Sequence, residues 1–209
     1  MSSAERIKKE LAEAAKIREP AERSVKIASI VAEALRAIGQ DPILVGGAAV
    51  EFYTQGGYTT ADIDMIAPGG PALFEKMAEM GFERMGKDFV DEKNKIYIEF
   101  PGRVLGPTER DRRILIGERY LRIISIEDLI VDRLCSFKYW KSAIDGLNGL
   151  KLLEVGPEDE DLLLSRAKEE GVLDALELVK KVQEEIIRKR VSPREANRLL
   201  ETGMIRLKK

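Results

Sequence analysis

Residues 43–67 read ILVGGAAVEFYTQGGYTTADIDMIA, and their interpretation decides the fold. Ile43, Leu44 and Val45 form a short apolar run that ends in Gly46-Gly47. Ala48, Ala49, Val50, Phe52 and Tyr53 follow as an apolar-periodic segment, broken at Gly56-Gly57. From Ala61 the pattern alternates: Ala61, Ile63, Met65 and Ala67 share one face of a strand, and Asp62 and Asp64 share the other. The expected order is strand, glycine turn, helix, turn, and a strand carrying two carboxylates on one side. Like charges so placed repel, and a cation between them relieves the repulsion; hard oxygen ligands suit Mg²⁺ or Mn²⁺. Paired glycines let backbone approach a ligand closely, and the start of the next helix offers N–H groups to an anion such as a triphosphate. A metal-nucleotide site is the expectation.

Composition narrows the chemistry. The 209 residues suffice for one domain or two small ones with a real core. Basic and acidic residues nearly balance, 35 against 37, so no global basic field announces nucleic acid. There is no histidine, which removes the usual general base and the commonest zinc ligand. The single cysteine, Cys135, excludes an intrachain disulfide and reads as core of an apolar helix. Catalysis would have to rely on carboxylates, cations and a bound metal. No run approaches the length of a membrane span, and MSSAERIKKE lacks the apolar core of a signal peptide, so the expected location is the cytoplasm. Few Asn and Gln against many Glu, Lys and Arg is a thermophile-like bias.

Gly46-Gly47-Ala48, thirteen residues and then Asp62-Ile63-Asp64 resembles the signature of the DNA polymerase beta-like nucleotidyltransferase superfamily. Thr60 fits the Thr-x-Asp-x-Asp form of the branch that includes abortive-infection-type toxins and minimal uncharacterised relatives. The resemblance covers about residues 43–145. It implies an α+β fold, a mixed sheet of about five strands covered by helices, with a nucleotidyltransferase core in residues 1–124 and a helical region in 125–209. It also implies transfer of a nucleoside monophosphate from an NTP to an acceptor hydroxyl, releasing pyrophosphate. Asp62 and Asp64 would be metal ligands for Mg²⁺ or Mn²⁺. Gly46, Gly47 and Ala48 would cradle phosphates, with Thr60 in support. By the same resemblance the acceptor is a tRNA, a protein hydroxyl or an aminoglycoside-like molecule, and an antitoxin is a conceivable partner. A catalytically inactive member that binds nucleotide or a partner is the alternative.

In KIYIEF, residues 95–100, Ile96, Ile98 and Phe100 point one way and Lys95, Tyr97 and Glu99 the other. The family places its third metal ligand on such a strand, which makes Glu99 the candidate and Asp91 the fallback, although many relatives use Asp there. Residues 101–113 read as a charged loop holding Arg103, Arg110, Arg112 and Arg113. Ser125-Ile126-Glu127-Asp128 looks like a helix start, and the run EDLIVDRLCSFKYWKSAID resembles the helix on which the family sets a basic side chain against the triphosphate. Arg133, Lys138 and Lys141 compete for that role, with Arg133 nearest the helix start; many relatives carry Lys where Arg133 aligns. Trp140 is a packing anchor or a surface for a base. From Pro157 onward the chain reads as helices, the last opened by Ser192-Pro193, with basic residues that would suit RNA.

Overall fold

Ser2 and Glu5 close a capping box at the start of helix α1 (Ser3–Ala14): the Glu5 N–H donates to Ser2 Oγ at 3.2 Å, and the Ser2 N–H to Glu5 Oε2 at 2.7 Å. Pro20 occupies the first turn of α2 (Pro20–Arg36), where its missing N–H costs nothing, and the Glu19 side chain caps the N–H groups of Ala21 and Glu22. The computed structural model that carries these elements describes residues 2–189 and 191–207. The chain divides into two units, Met1–Ser125 and Ile126–Lys209.

The first unit is built on a sheet. β1 (Ile43–Val45) runs into α3 (Gly46–Tyr53), and β2 (Asp62–Ile66) returns antiparallel beside β1. After α4 (Pro71–Glu79) come β3 (Glu83–Met85), β4 (Asp88–Asp91) and β5 (Ile96–Glu99), then β6 (Asp111–Ile116) and β7 (Arg119–Ile124). Among the described residues the seven strands lie in the order β3-β4-β5-β2-β1-β7-β6. The sheet is mixed, with β1 parallel to β7, β2 parallel to β5, and the other neighbours antiparallel. The expected α+β architecture is present, with more strands than the sequence pattern suggested. Residues 82–90 form two strands turning at Gly86, whose φ of 66° suits a residue without a side chain. Arg112 and Arg113 belong to β6 and not to a charged loop.

The core lies on the face of the sheet opposite the carboxylates. Leu44 and Met65, direct partners across β1 and β2, are fully buried. α2 packs against β7 and α3, burying Ile27, Ile30, Val31 and Leu35 on one stripe of helical spacing. Each such side chain contributes about 1.5–3 kcal/mol on burial. The net effect is to hold the β1–α3 corner against β2.

The second unit is helical: α5 (Ile126–Tyr139), α6 (Ala143–Val155), α7 (Glu160–Glu169), α8 (Leu173–Lys189) and α9 (Pro193–Met204). Gly146 on α6 lets that helix close on Phe137 of α5, because a β-carbon there would fall 2.5 Å from the ring. Arg166 and Asp128, both buried, pair at 2.7 Å, with Glu169 and Glu170 also on the guanidinium. Burial of such a pair is tolerated only because the Arg is met by several acceptors. Ser192 caps α9 through the Glu195 N–H at 3.3 Å, as its Ser-Pro start predicts. The long helix expected across residues 127–145 is two helices. The chain breaks at residues 140–142, where Lys141 takes a positive φ of 55°.

Candidate functional site

The two aspartates of β2 lie where the alternation put them. Ile63 and Met65 face the core, while Asp62 is exposed and Asp64 half-buried on the other side. Strand pairing assembles the rest of the row. Asp64 is the direct partner of Glu99 on β5, and Glu99 is in turn the partner of Asp88 on β4. Paired residues on neighbouring strands project to the same side, so Asp88, Glu99 and Asp64 form a line across three strands, with Asp62 two residues along β2.

Lys87, just before β4, meets this row. Its ammonium donates to Glu99 Oε1 at 2.7 Å, and its pKa is held above the ordinary value by that bond first, then by the charges of Glu99, Asp88 and Asp64. Lys87 and Asp88 are the functional candidates that the sequence reading missed. A signal was available: a tight turn at residues 92–95 pairs Asp91 with Ile96, and counting back along the hairpin sets Asp88 opposite Glu99. Asp91, the fallback ligand, sits at the other end of β4 and anchors that turn, accepting from the Asn94 N–H at 3.1 Å and from Asn94 Nδ2 at 2.6 Å.

On the other side of β2 is the glycine corner. Gly46 has φ of 63° and lies against Asp64: an added β-carbon would fall 2.1 Å from Asp64 Oδ2. Gly47 is close to Thr60 in the same way, since an added β-carbon would fall 3.0 Å from Thr60 Cβ and Oγ1, and the Asp62 N–H reaches Thr60 Oγ1 at 3.4 Å. Thr60 therefore links the helix start to the DxD strand. Val45 at the N-cap of α3 supplies no side-chain cap to the first turn, which holds Gly46, Gly47 and the buried Ala48. Behind this corner Glu51 of α3 is fully buried: Ser24 Oγ donates to its Oε2 at 2.9 Å, while Oε1 has no hydrogen-bond partner among the described residues. Burial pushes its carboxyl above the ordinary range, with the Ser24 bond opposing.

The expected convergence of Asp62, Asp64 and Glu99 on one ion is not present. Among the described residues no three Asp, Glu, Cys or His side chains lie close enough together to hold a metal. Glu99 is instead bonded to Lys87. The donor chemistry nonetheless fits a hard cation, since Asp62, Asp64, Glu99 and Asp88 offer carboxylate oxygens.

The three basic candidates lie in the second unit, each with partners there. Arg133 bonds Asp132, and its Nη1 donates to Asp145 Oδ1 at 2.9 Å; burial opposes its charge, but the two carboxylates hold its pKa above the ordinary value. Lys138 is buried and donates to the Gly171 carbonyl at 2.7 Å and to Asp174 at 2.8 Å. Lys141 is not on α5; its ammonium reaches the carbonyls of Met204 and Leu207. Arg133 and Lys141 therefore do not share a helix. Trp140 is no packing anchor, being 83% exposed. Cys135 is half-buried, its thiol pushed up to about 11 by burial, which makes it a poor nucleophile.

No family model matches the sequence, and no curated protein matches it. Among solved structures, the crystal structure of an antigenic nucleotidyltransferase-like protein from Paracoccidioides brasiliensis is similar, with a TM-score of 0.60 at 13% identity, over 87% of this chain and 94% of that one. The fold is nucleotidyltransferase-like. Within that nucleotidyltransferase-like fold, no helix among the described residues is long and apolar enough to cross a membrane.

Proposed function

We propose that the chain is a metal-dependent nucleotidyltransferase that moves a nucleoside monophosphate from an NTP to an acceptor hydroxyl. The observation that carries this reading is the contact of Gly46 with Asp64, which sets the first turn of α3 beside the carboxylate row. In the reaction, an acceptor oxygen forms a bond to the α-phosphorus, the bond from that phosphorus to the bridging oxygen breaks, and pyrophosphate leaves. Asp62 and Asp64 would hold Mg²⁺ or Mn²⁺, with Glu99 as third ligand. Such an ion lowers the pKa of the acceptor hydroxyl and neutralises charge on the leaving group. Gly46, Gly47 and Ala48 would present backbone N–H groups to the phosphates, and Thr60 would keep α3 and β2 in register with each other. A tRNA or a protein is the acceptor class we favour, with a cognate antitoxin as a further partner, in a cytoplasmic setting.

A second reading, a nucleotide- or partner-binding protein without transfer activity, is favoured by one observation: Glu99 is bonded to Lys87. Incubation with each labelled NTP, Mg²⁺ and total RNA or cell lysate separates the two. Label in a polymer supports transfer; saturable NTP binding with no labelled product supports the binding protein.

A further inference from the structure

Lys87 serves two places at once. Besides bonding Glu99, it lines a cavity of about 210 Å³ at the end of the sheet where β5 stops and β4 begins. Arg84 and Arg103 line the same cavity, whose apolar wall is Phe74, Phe89 and Phe100. Among the described residues no carboxylate lines it. Arg84 lies over the Phe74 ring at 4.2 Å, and its Nε donates to the Gly86 carbonyl, an uncharged partner. Arg103 makes no ion pair among the described residues.

Arg84 and Arg103 face one cavity with Lys87, whose charge Glu99 already meets, and with no acid in the wall an anion complements the two guanidinium groups. Two guanidinium groups and an ammonium match the oxygens of a phosphate group, and Arg favours such planar, multiple hydrogen bonding. The volume is below the roughly 300 Å³ at which pockets for whole drug-sized ligands begin. We propose that this cavity binds a small phosphate anion, and that an anion there draws Lys87 away from Glu99 and frees that carboxylate for a metal ion. The pocket stands on its own geometry; the release of Glu99 rests on the proposed function. Binding at the two places is then linked, and each ligand strengthens the other.

The test separates the two parts. Isothermal titration calorimetry with inorganic phosphate, in the absence of metal, should show saturable binding to the native chain. The double variant R84A/R103A should lose about tenfold or more in affinity, since two charge-assisted contacts go. Both side chains are exposed, so the fold should survive, which a thermal melt checks. Equal affinity in native and variant chains overturns the pocket. Displacement of bound phosphate by pyrophosphate supports a small anion, whereas displacement by a short oligoribonucleotide alone overturns it in favour of a nucleic-acid backbone. For the second part, Mn²⁺ binding is followed by the paramagnetic resonance of the free ion. K87M should bind Mn²⁺ about fivefold or more tightly than the native chain, near the lower end of ordinary coupling between sites. Unchanged or weaker Mn²⁺ binding in K87M overturns the release of Glu99. Phosphate binding with no Mn²⁺ binding in either chain sinks the release and the metal-dependent reading, and leaves the pocket standing.

Discussion

The backbone of Gly46 packs directly against the carboxylate of Asp64, so closely that a β-carbon at position 46 would lie 2.1 Å from Oδ2. Two requirements coincide there, a positive φ of 63° and the absence of a side chain. G46A should therefore be costly: about 1–2 kcal/mol for the left-handed conformation, and more for displacing Asp64. G69A is the control, since its φ of 78° imposes the same kind of strain but its β-carbon meets nothing within 4 Å. Thermal melts should place G46A well below G69A, and D64A should partly rescue G46A in a double-mutant cycle. Equal losses in the two glycine variants would mean that the Asp64 contact carries no energy.

Asp64→Asn removes one charge from a row in which Asp64, Glu99 and Asp88 are successive partners. We expect transfer to be abolished while the melting temperature stays level or rises slightly, because repulsion within the row falls. Labelled-NTP assays and melts on the same preparation check both halves. A variant that melts far below the native chain would make Asp64 a structural residue.

Much of this was legible in the sequence because period-two alternation is local. Asp62 and Asp64 opposite Ile63 and Met65, and Glu99 opposite Ile98, required no knowledge of the partner strand. The convergence of strands was harder to read. That Glu99 pairs with Asp64 on one side and Asp88 on the other depends on strand order and register, which no short window encodes. The basic helix misled for a different reason. Residues 127–145 keep helical periodicity across the break, and the break is set by Lys141 in a left-handed conformation, for which lysine gives no signal. Arg133 and Lys138 carry charge suited to a phosphate, but their carboxylate partners Asp145 and Asp174 lie 12 and 36 residues away in sequence.

Glu51 gives a prediction in pH. Burial raises its carboxyl pKa in the folded chain above the unfolded value of about 4.3. Its contribution to stability is therefore fully present below the unfolded value and is lost as pH rises through the raised, folded one. E51Q keeps an oxygen for the Ser24 hydroxyl and carries no charge. It should be more stable than the native chain at pH 8, by about 1 kcal/mol, and no more stable at pH 4. Melts at the two pH values check this. A gain of equal size at both would place the effect in packing and not in the proton.

Arg133 settles what the second unit contributes. Its guanidinium is held by Asp132 and Asp145, and only 18% of the side chain is exposed. Arg133→Glu would set a third acid beside those two and should cost about 3–5 kcal/mol, as breaking a buried pair does. Lys180→Glu, whose partner Glu160 is a largely exposed acid, should cost about 1 kcal/mol or less. Arg133→Met removes the charge without adding repulsion and is the variant for binding. If the triphosphate uses Arg133, NTP affinity should fall in Arg133→Met by about tenfold, the worth of one charge-assisted contact, while Lys180→Glu binds as the native chain does. Unchanged affinity in a folded Arg133→Met would leave Arg133 as a tie between α5 and α6, and the cation for the phosphates would have to come from elsewhere, with Lys87 and Arg103 of the first unit next to be tested.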